Sequence, residues 1–215
     1  AAAVRRVSCV FSVISPSRSY FTVEPADTFD VWVSLAEALN ARGYRTAGFV
    51  DNIHLQRQQS ALDQGFEVYA EEIGSAREII NAFAAWVGQP DPRPFFAYLH
   101  VLDPHWPYTP LPPPAGRPLA DDVALRRLHW DLDGGRWPLL RDAVNEQGLR
   151  LTAEELSAVT ALYDGEIYDV DAALASLLEL LRARGLLEET LLVVTADHGE
   201  GFLDRGRLDH GYGAY

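Results

Sequence analysis

Residues Leu191–Tyr215 read LLVVTADHGEGFLDRGRLDHGYGAY. The apolar, β-branched run Leu191–Thr195 has the length and composition of a buried strand. It stops abruptly at Asp197-His198-Gly199-Glu200, and a second pair, His210-Gly211, follows. A carboxylate and an imidazole adjacent at a strand end can turn toward one ion, the first supplying charge and the second a neutral nitrogen. The glycines let backbone approach closely. The competing reading of Asp197 is a helix N-cap that accepts from unpaired backbone N–H groups.

Upstream, the pattern alternates. Ser34–Arg42 is expected to be helical, with Leu35, Ala38 and Leu39 inward and Gly43 as its stop. Thr46–Val50 reads as a short buried strand. Ser75–Val87 reads as an amphipathic helix with Ile79, Ile80, Phe83 and Trp86 on one face, and Phe95–Val101 as the next strand. Residues 103–150, rich in Pro, Gly and Trp, form an irregular excursion of the kind that flanks a site. Thr152 and Glu155 have the spacing of a capping box. They open a long helix to about Arg184, with Leu156, Val159, Leu162, Ile167, Val170, Leu174, Leu177 and Leu181 inward and Gly185 at its end. Strands alternating with helices predict an α/β fold with a mostly parallel sheet covered on both faces. Residues 1–33 are an atypical N-terminal segment in which Val7–Ile14 is strand-like; residues 34–215 carry the α/β pattern.

Composition narrows the function. The 215 residues carry a formal charge of −13, which argues against a nucleic-acid surface. The basic residues are all Arg, so Lys is excluded from every catalytic role. The single cysteine, Cys9, permits no internal disulfide and reads as a small buried side chain. No apolar run approaches a membrane span. A chain that starts without Met and stops just past a motif is expected to be a fragment.

In open α/β sheets the ligand site lies beyond the carboxyl ends of the strands. Here Val50 runs into Asp51-Asn52, Leu99 into His100 and His105, and Thr195 into Asp197-His198. His100 reads equally as a core histidine or a functional one. His105, in Asp103-Pro104-His105-Trp106-Pro107-Tyr108, has its backbone fixed by prolines on either side and can donate to an anionic oxygen or protonate a leaving group. Trp106 and Tyr108 either pack or wall a pocket. His54 reads as a surface residue.

The succession GYRTAGFVDN, DQGFEVY, FFAYLHVLDPHWPY, YDGEIYDVDAALASLLELLRARGLLEETLLVVTADHGE and DHGYG resembles the sulfatase family of the alkaline phosphatase superfamily over Ser34 to Gly213. The resemblance implies an α/β/α sandwich, here incomplete, that hydrolyses sulfate esters of small molecules or glycans. Superfamily relatives act on phosphodiesters or phosphonates, or transfer phosphorylated head groups. It implies Asp197 and His198 as ligands of a divalent cation, Ca²⁺ foremost, with Mn²⁺, Zn²⁺ or Mg²⁺ as alternatives. It implies His105 as the HxPY histidine on the transferred group or leaving oxygen, and His210 where relatives place a Lys or His. Such chemistry is Lewis-acid polarisation plus cationic clamps on a charged transition state.

Two departures are visible. The family begins with an apolar strand ending in paired aspartates, and nothing here matches it. In the nucleophile pattern C-x-P-S-R, the segment Ser15-Pro16-Ser17-Arg18 places Ile14 where the Cys belongs. The chain by itself is therefore expected to bind metal weakly and to lack turnover. A non-catalytic polyanion-binding relative is the remaining alternative.

Overall fold

RTAGFV and FFAYLHV carry too few polar positions to face water on either side, and such runs belong inside a parallel sheet. In the computed structural model of the chain, which describes residues 7–13, 33–106, 108 and 137–210, they form two of the strands of a five-stranded sheet. The strands are β1 (Val7–Val13), β2 (Arg45–Val50), β3 (Val68–Ala70), β4 (Phe95–Val101) and β5 (Thr190–Ala196), in the order β3-β2-β4-β1-β5. Each neighbouring pair is parallel. The strand expected over Val7–Ile14 is β1, with Cys9 opposite Ala97 on one side and Leu192 on the other. Ile14 and Ser15-Pro16-Ser17-Arg18 lie outside the described residues.

The chain divides into two compact units, Ala1–Leu102 with Ala172–Asp197, and Asp103–Asp171 with His198–Tyr215. In the first unit both faces of the sheet are covered over β2 and β4. On one face lies helix α3 (Ala76–Val87), whose Ile79, Ile80, Phe83 and Trp86 are all buried as the sequence pattern requires. Phe83 and Trp86 meet Phe49 of β2 edge-on at 6.3 and 6.1 Å. Trp86 also meets Phe95 of β4 at 5.8 Å. Arg45, buried beneath this helix, donates to the carbonyls of Trp86 at 2.6 Å and Gln89 at 3.1 Å, tying the end of the helix to the start of β2. Its guanidinium lies 4.0 Å from the Trp86 ring centroid, adding a cation–π contact.

The other face carries Thr46, Gly48, Phe96 and His100. Helix α1 (Leu35–Asn40) reaches it through the Asn40 amide, which donates to Thr46 Oγ1 at 3.3 Å. Phe66 stacks on Phe96 at 5.8 Å. Gly48 is required here because a Cβ would lie 2.5 Å from the Tyr69 ring. A short helix α2 (Arg57–Ser60) lies between β2 and β3 in sequence. This α/β architecture with a parallel sheet is the one read from the sequence.

Four expectations need correction. In α1 the inward residue is Ala36, while Leu35 is 58% exposed. The reciprocal Ser34–Glu37 capping bonds fix where this six-residue helix starts and hence which face it turns inward. Within 103–150, expected to be irregular throughout, residues Trp137–Asn145 form helix α4. The long helix, α5 (Ala153–Ala183), begins at the expected Thr152–Glu155 box. Its buried stripe nevertheless runs Val159, Leu162, Glu166, Val170, Ala173, Leu177, Leu181, so strict helical spacing places Glu166 inward and leaves Ile167 44% exposed. Finally, β5 is not buried. It pairs with β1 only, among the described residues, and Leu191, Val193 and Val194 are 64, 40 and 51% exposed. Its composition is that of a central strand; its position is an edge.

Candidate active site

Three of the four residues singled out from the sequence belong to the second unit, and their imidazoles cluster. His198 and His210 have ring centroids 4.3 Å apart, and His105 and His210 5.6 Å. Asp197, exposed, is the residue after β5 and closes the other unit.

The cluster is built on a small apolar core. Tyr108, Leu140 of α4, Ala158, Val159 and Leu162 of α5, and Leu208 bury one another, with Phe202 and Tyr163 against them. Phe202 and Leu208 pair as an isolated antiparallel bridge, so the chain leaves the DHGE segment, turns, and returns beside it. The return is close: Asp209 N–H donates to Gly201 C=O at 3.0 Å, and a Cβ on Gly201 would meet Asp209 O at 2.8 Å. Asp209 itself has φ 74°, a left-handed conformation that Asp tolerates better than most residues.

Two carboxylates converge on His210. Its Nδ1 lies 2.8 Å from Asp209 Oδ1 and 3.2 Å from Glu200 Oε2, and both acidic side chains are nearly inaccessible to solvent. Each is anchored separately. Arg141 of α4 donates to Asp209 Oδ2 at 3.1 Å, and Tyr108 OH donates to Glu200 Oε2 at 3.2 Å. Burial works against a charge on His210, but hydrogen bonds and charge from Asp209 and Glu200 outweigh it and push the ring up to about 10. Burial would raise Asp209; its bonds to His210 and Arg141 hold it below the usual carboxylate value.

His105 is the opposite case. Burial pushes it down to about 4, and the neighbouring His210 and His198 add to the depression. Its Nδ1 faces Trp106 C=O, which can only accept, so Nδ1 carries the proton and Nε2 the lone pair. Near neutral pH the cluster therefore holds a cationic imidazole beside a neutral one, which is how an acid and a base are set apart in one site. In the neutral ring, Nε2 of His105 is therefore an acceptor.

The sulfatase family model matches residues 4–214. The chain belongs to the sulfatase family. It is 27% identical over 139 residues to the multifunctional alkaline phosphatase superfamily protein PehA of Trinickia caryophylli, a match covering 58% of this chain and 27% of that protein. Its fold resembles phosphonate monoester hydrolase of Agrobacterium radiobacter, at 22% identity and TM-score 0.52, over 85% of this chain and 50% of that one. It also resembles a protein solved in complex with its substrate D-glucosamine-2-N,6-O-disulfate, at 17% identity and TM-score 0.57, over 83% and 52%. The chain thus spans about half the length of these structures.

The side chains of this cluster suit a cation unequally. His198 donates Nδ1–H to Gly199 C=O at 2.7 Å, a bond of the kind that fixes the tautomer and ring orientation of a metal-binding imidazole. The ligand atoms of Glu200, Asp209 and His210 lie within 4.8 Å of one another. Their lone pairs, however, already receive Tyr108, Arg141 and the His210 ring and backbone N–H groups. That trio is a closed ion-pair network and a poor cage for a metal.

Sequence reasoning did not identify Glu200, Asp209, Arg141 or Asn145. Glu200 and Asp209 stand beside flagged histidines, which was the available signal. Arg141 and Asn145 share one face of α4 by their i, i+4 spacing, visible only once that segment is known to be helical. His100, the alternative core histidine, belongs to the first unit. It is fully buried, neither ring nitrogen has a hydrogen-bond partner among the described residues, and burial pushes it down to about 4. His54 is exposed.

Proposed function

We propose that this chain forms part of the active site of a metal-dependent hydrolase of sulfate esters carried by small molecules or glycans. The observation that carries this reading is the convergence of His105, His198 and His210, with His210 held cationic by buried carboxylates and His105 held neutral. A positive charge beside a neutral imidazole suits a substrate whose reacting group is an anion and whose leaving oxygen gains charge in the transition state.

In this reading His198 and Asp197 hold the divalent cation. Bound there, the cation supplies Lewis-acid polarisation of the ester oxygen. Imidazole nitrogen beside carboxylate oxygen is compatible with Mn²⁺ or Zn²⁺ as well as Ca²⁺, and two donors fill only part of the shell that Ca²⁺ takes. His210 clamps the anionic group through its second ring nitrogen, and His105 accepts a proton or a hydrogen bond at Nε2. The 215 residues contain no C-x-P-S-R nucleophile, so by themselves they are expected to bind metal weakly and not to turn over.

Phosphonate or phosphodiester hydrolysis is the second reading, favoured by the fold likeness to a phosphonate monoester hydrolase. Both are tested on the natural protein that carries this chain, with 4-nitrophenyl sulfate, a phenylphosphonate monoester and a bis(4-nitrophenyl) phosphate diester, before and after EDTA. Sulfate-ester turnover lost with EDTA and with His198→Ala supports the first reading. Turnover of the phosphorus esters alone selects the second, and no hydrolysis of any of them by the metal-loaded protein ends both.

A further inference from the structure

We propose that Glu200 and Asp209 are positioning residues that clamp His210 at Nδ1 from two sides and so commit its Nε2 to the transferred anionic group. The inference deepens the functional reading above and rests on it.

The geometry has three independent parts. First, two carboxylates meet one ring nitrogen, at 2.8 and 3.2 Å, where a single acceptor is enough to satisfy one N–H. Second, neither carboxylate is free to swing, because Tyr108 OH holds Glu200 Oε2 and Arg141 holds Asp209 Oδ2. Third, Asp209 Oδ1 also accepts the His210 backbone N–H at 2.8 Å, which ties ring and main chain to the same oxygen. A ring held at one nitrogen by fixed anions keeps one orientation; for metal-ligating histidines, losing such a support costs about 10- to 100-fold in activity or affinity, and a loss of the same order is expected here.

The test uses Glu200→Gln and Asp209→Asn, each alone and combined with His210→Ala, in the natural protein carrying this chain, with kcat and KM measured separately on its best ester substrate. Each single variant is expected to lower kcat by about 10- to 100-fold with KM moved less than about 3-fold. In the His210→Ala background the same substitutions are expected to cost less than about 2-fold, because their effect is exerted through the ring. Undiminished losses in that background overturn the inference, as do His210→Ala impaired and both carboxylate variants unaffected. His210→Ala with full activity is a different failure, that of the functional reading. Should Asp209→Asn unfold, Glu200→Gln carries the test alone. A readout independent of turnover is the ¹⁵N spectrum of the His210 ring in the 215-residue chain. A protonated Nδ1 whose resonance moves in Glu200→Gln supports the clamp, and an unmoved resonance overturns it.

Discussion

Asn145 holds Leu208 at both ends of its backbone unit: its amide donates to Leu208 C=O at 2.8 Å and accepts from Leu208 N–H at 2.9 Å. The side chain thereby does for Leu208 what a neighbouring strand does in a sheet. Leu208 is fully buried, so both backbone groups would otherwise be unsatisfied. Asn145→Ala is expected to cost about 1–3 kcal/mol in urea unfolding. Asn145→Asp keeps the acceptor and loses the donor to the carbonyl, so it is expected to be no better than Ala. In the natural protein that carries this chain, ester turnover should fall further than stability in both, since Asp209 and His210 follow directly on Leu208.

The close pass between Gly201 and Asp209 makes a second prediction. Gly201→Ala places a methyl 2.8 Å from a backbone oxygen that cannot rotate away. Over-packing of this kind costs about 1–3 kcal/mol. The larger effect is expected on turnover, because a shift of about 1 Å at a catalytic group can cost about 100-fold. Steady-state kinetics on the natural protein that carries this chain, beside a thermal melt, separates the two. An unchanged kcat would show that the 200–210 loop absorbs the methyl elsewhere.

His100 sets an acid limit on the first unit. Its ring is pushed down by burial from the ordinary 6.5 to about 4. Between those values the unfolded chain binds the proton and the folded one does not, so stability rises with pH across the window. It is fully present above 6.5, is lost as pH falls toward 4, and levels off below. The loss amounts to about 3 kcal/mol at 1.36 kcal/mol per pH unit. His105, pushed down the same way, titrates in the same window in the second unit. His100→Leu removes two buried nitrogens that have no partner among the described residues and is expected to reduce the slope of stability against pH between 6.5 and 4 without abolishing it. Urea unfolding at a series of pH values reads this directly, and an unchanged slope rejects the assignment.

The strands and helices around β2, β4 and α3 were legible because continuous apolar runs and a 3.6-residue stripe have one reading each. Helix α4 was not. Trp137-Pro138 after Gly134-Gly135 has the composition of a loop, yet proline at the second helical position sits in the first turn, where its missing N–H costs nothing. The site divides the same way. His105, His198 and His210 stand out by residue type and by their glycine or proline neighbours. Glu200 and Asp209 look like surface acids until Tyr108 and Arg141, distant in sequence, are brought against them. Whether β5 is central or marginal is likewise a property of the sheet, and an apolar run reads the same in either place.

That placement of β5 has a consequence for the chain in solution. Its apolar residues Leu191, Val193 and Val194 are exposed, and among the described residues it has a strand on one side only. An open, apolar edge is a template for pairing with another chain unless charge blocks it, and β5 carries none in TLLVVTA. The 215-residue chain is therefore expected to self-associate with rising concentration and to gain β-sheet signal as it does. Val194→Lys, which puts a charge on that edge without touching β1 pairing, should raise the concentration at which association begins by several-fold. Sedimentation velocity across a concentration series is the measurement. A wild-type chain that stays monomeric at 100 µM, on the order of the concentrations at which unpaired edges aggregate, would show that this edge is covered, and Val194→Lys would then destabilise the fold instead of solubilising it.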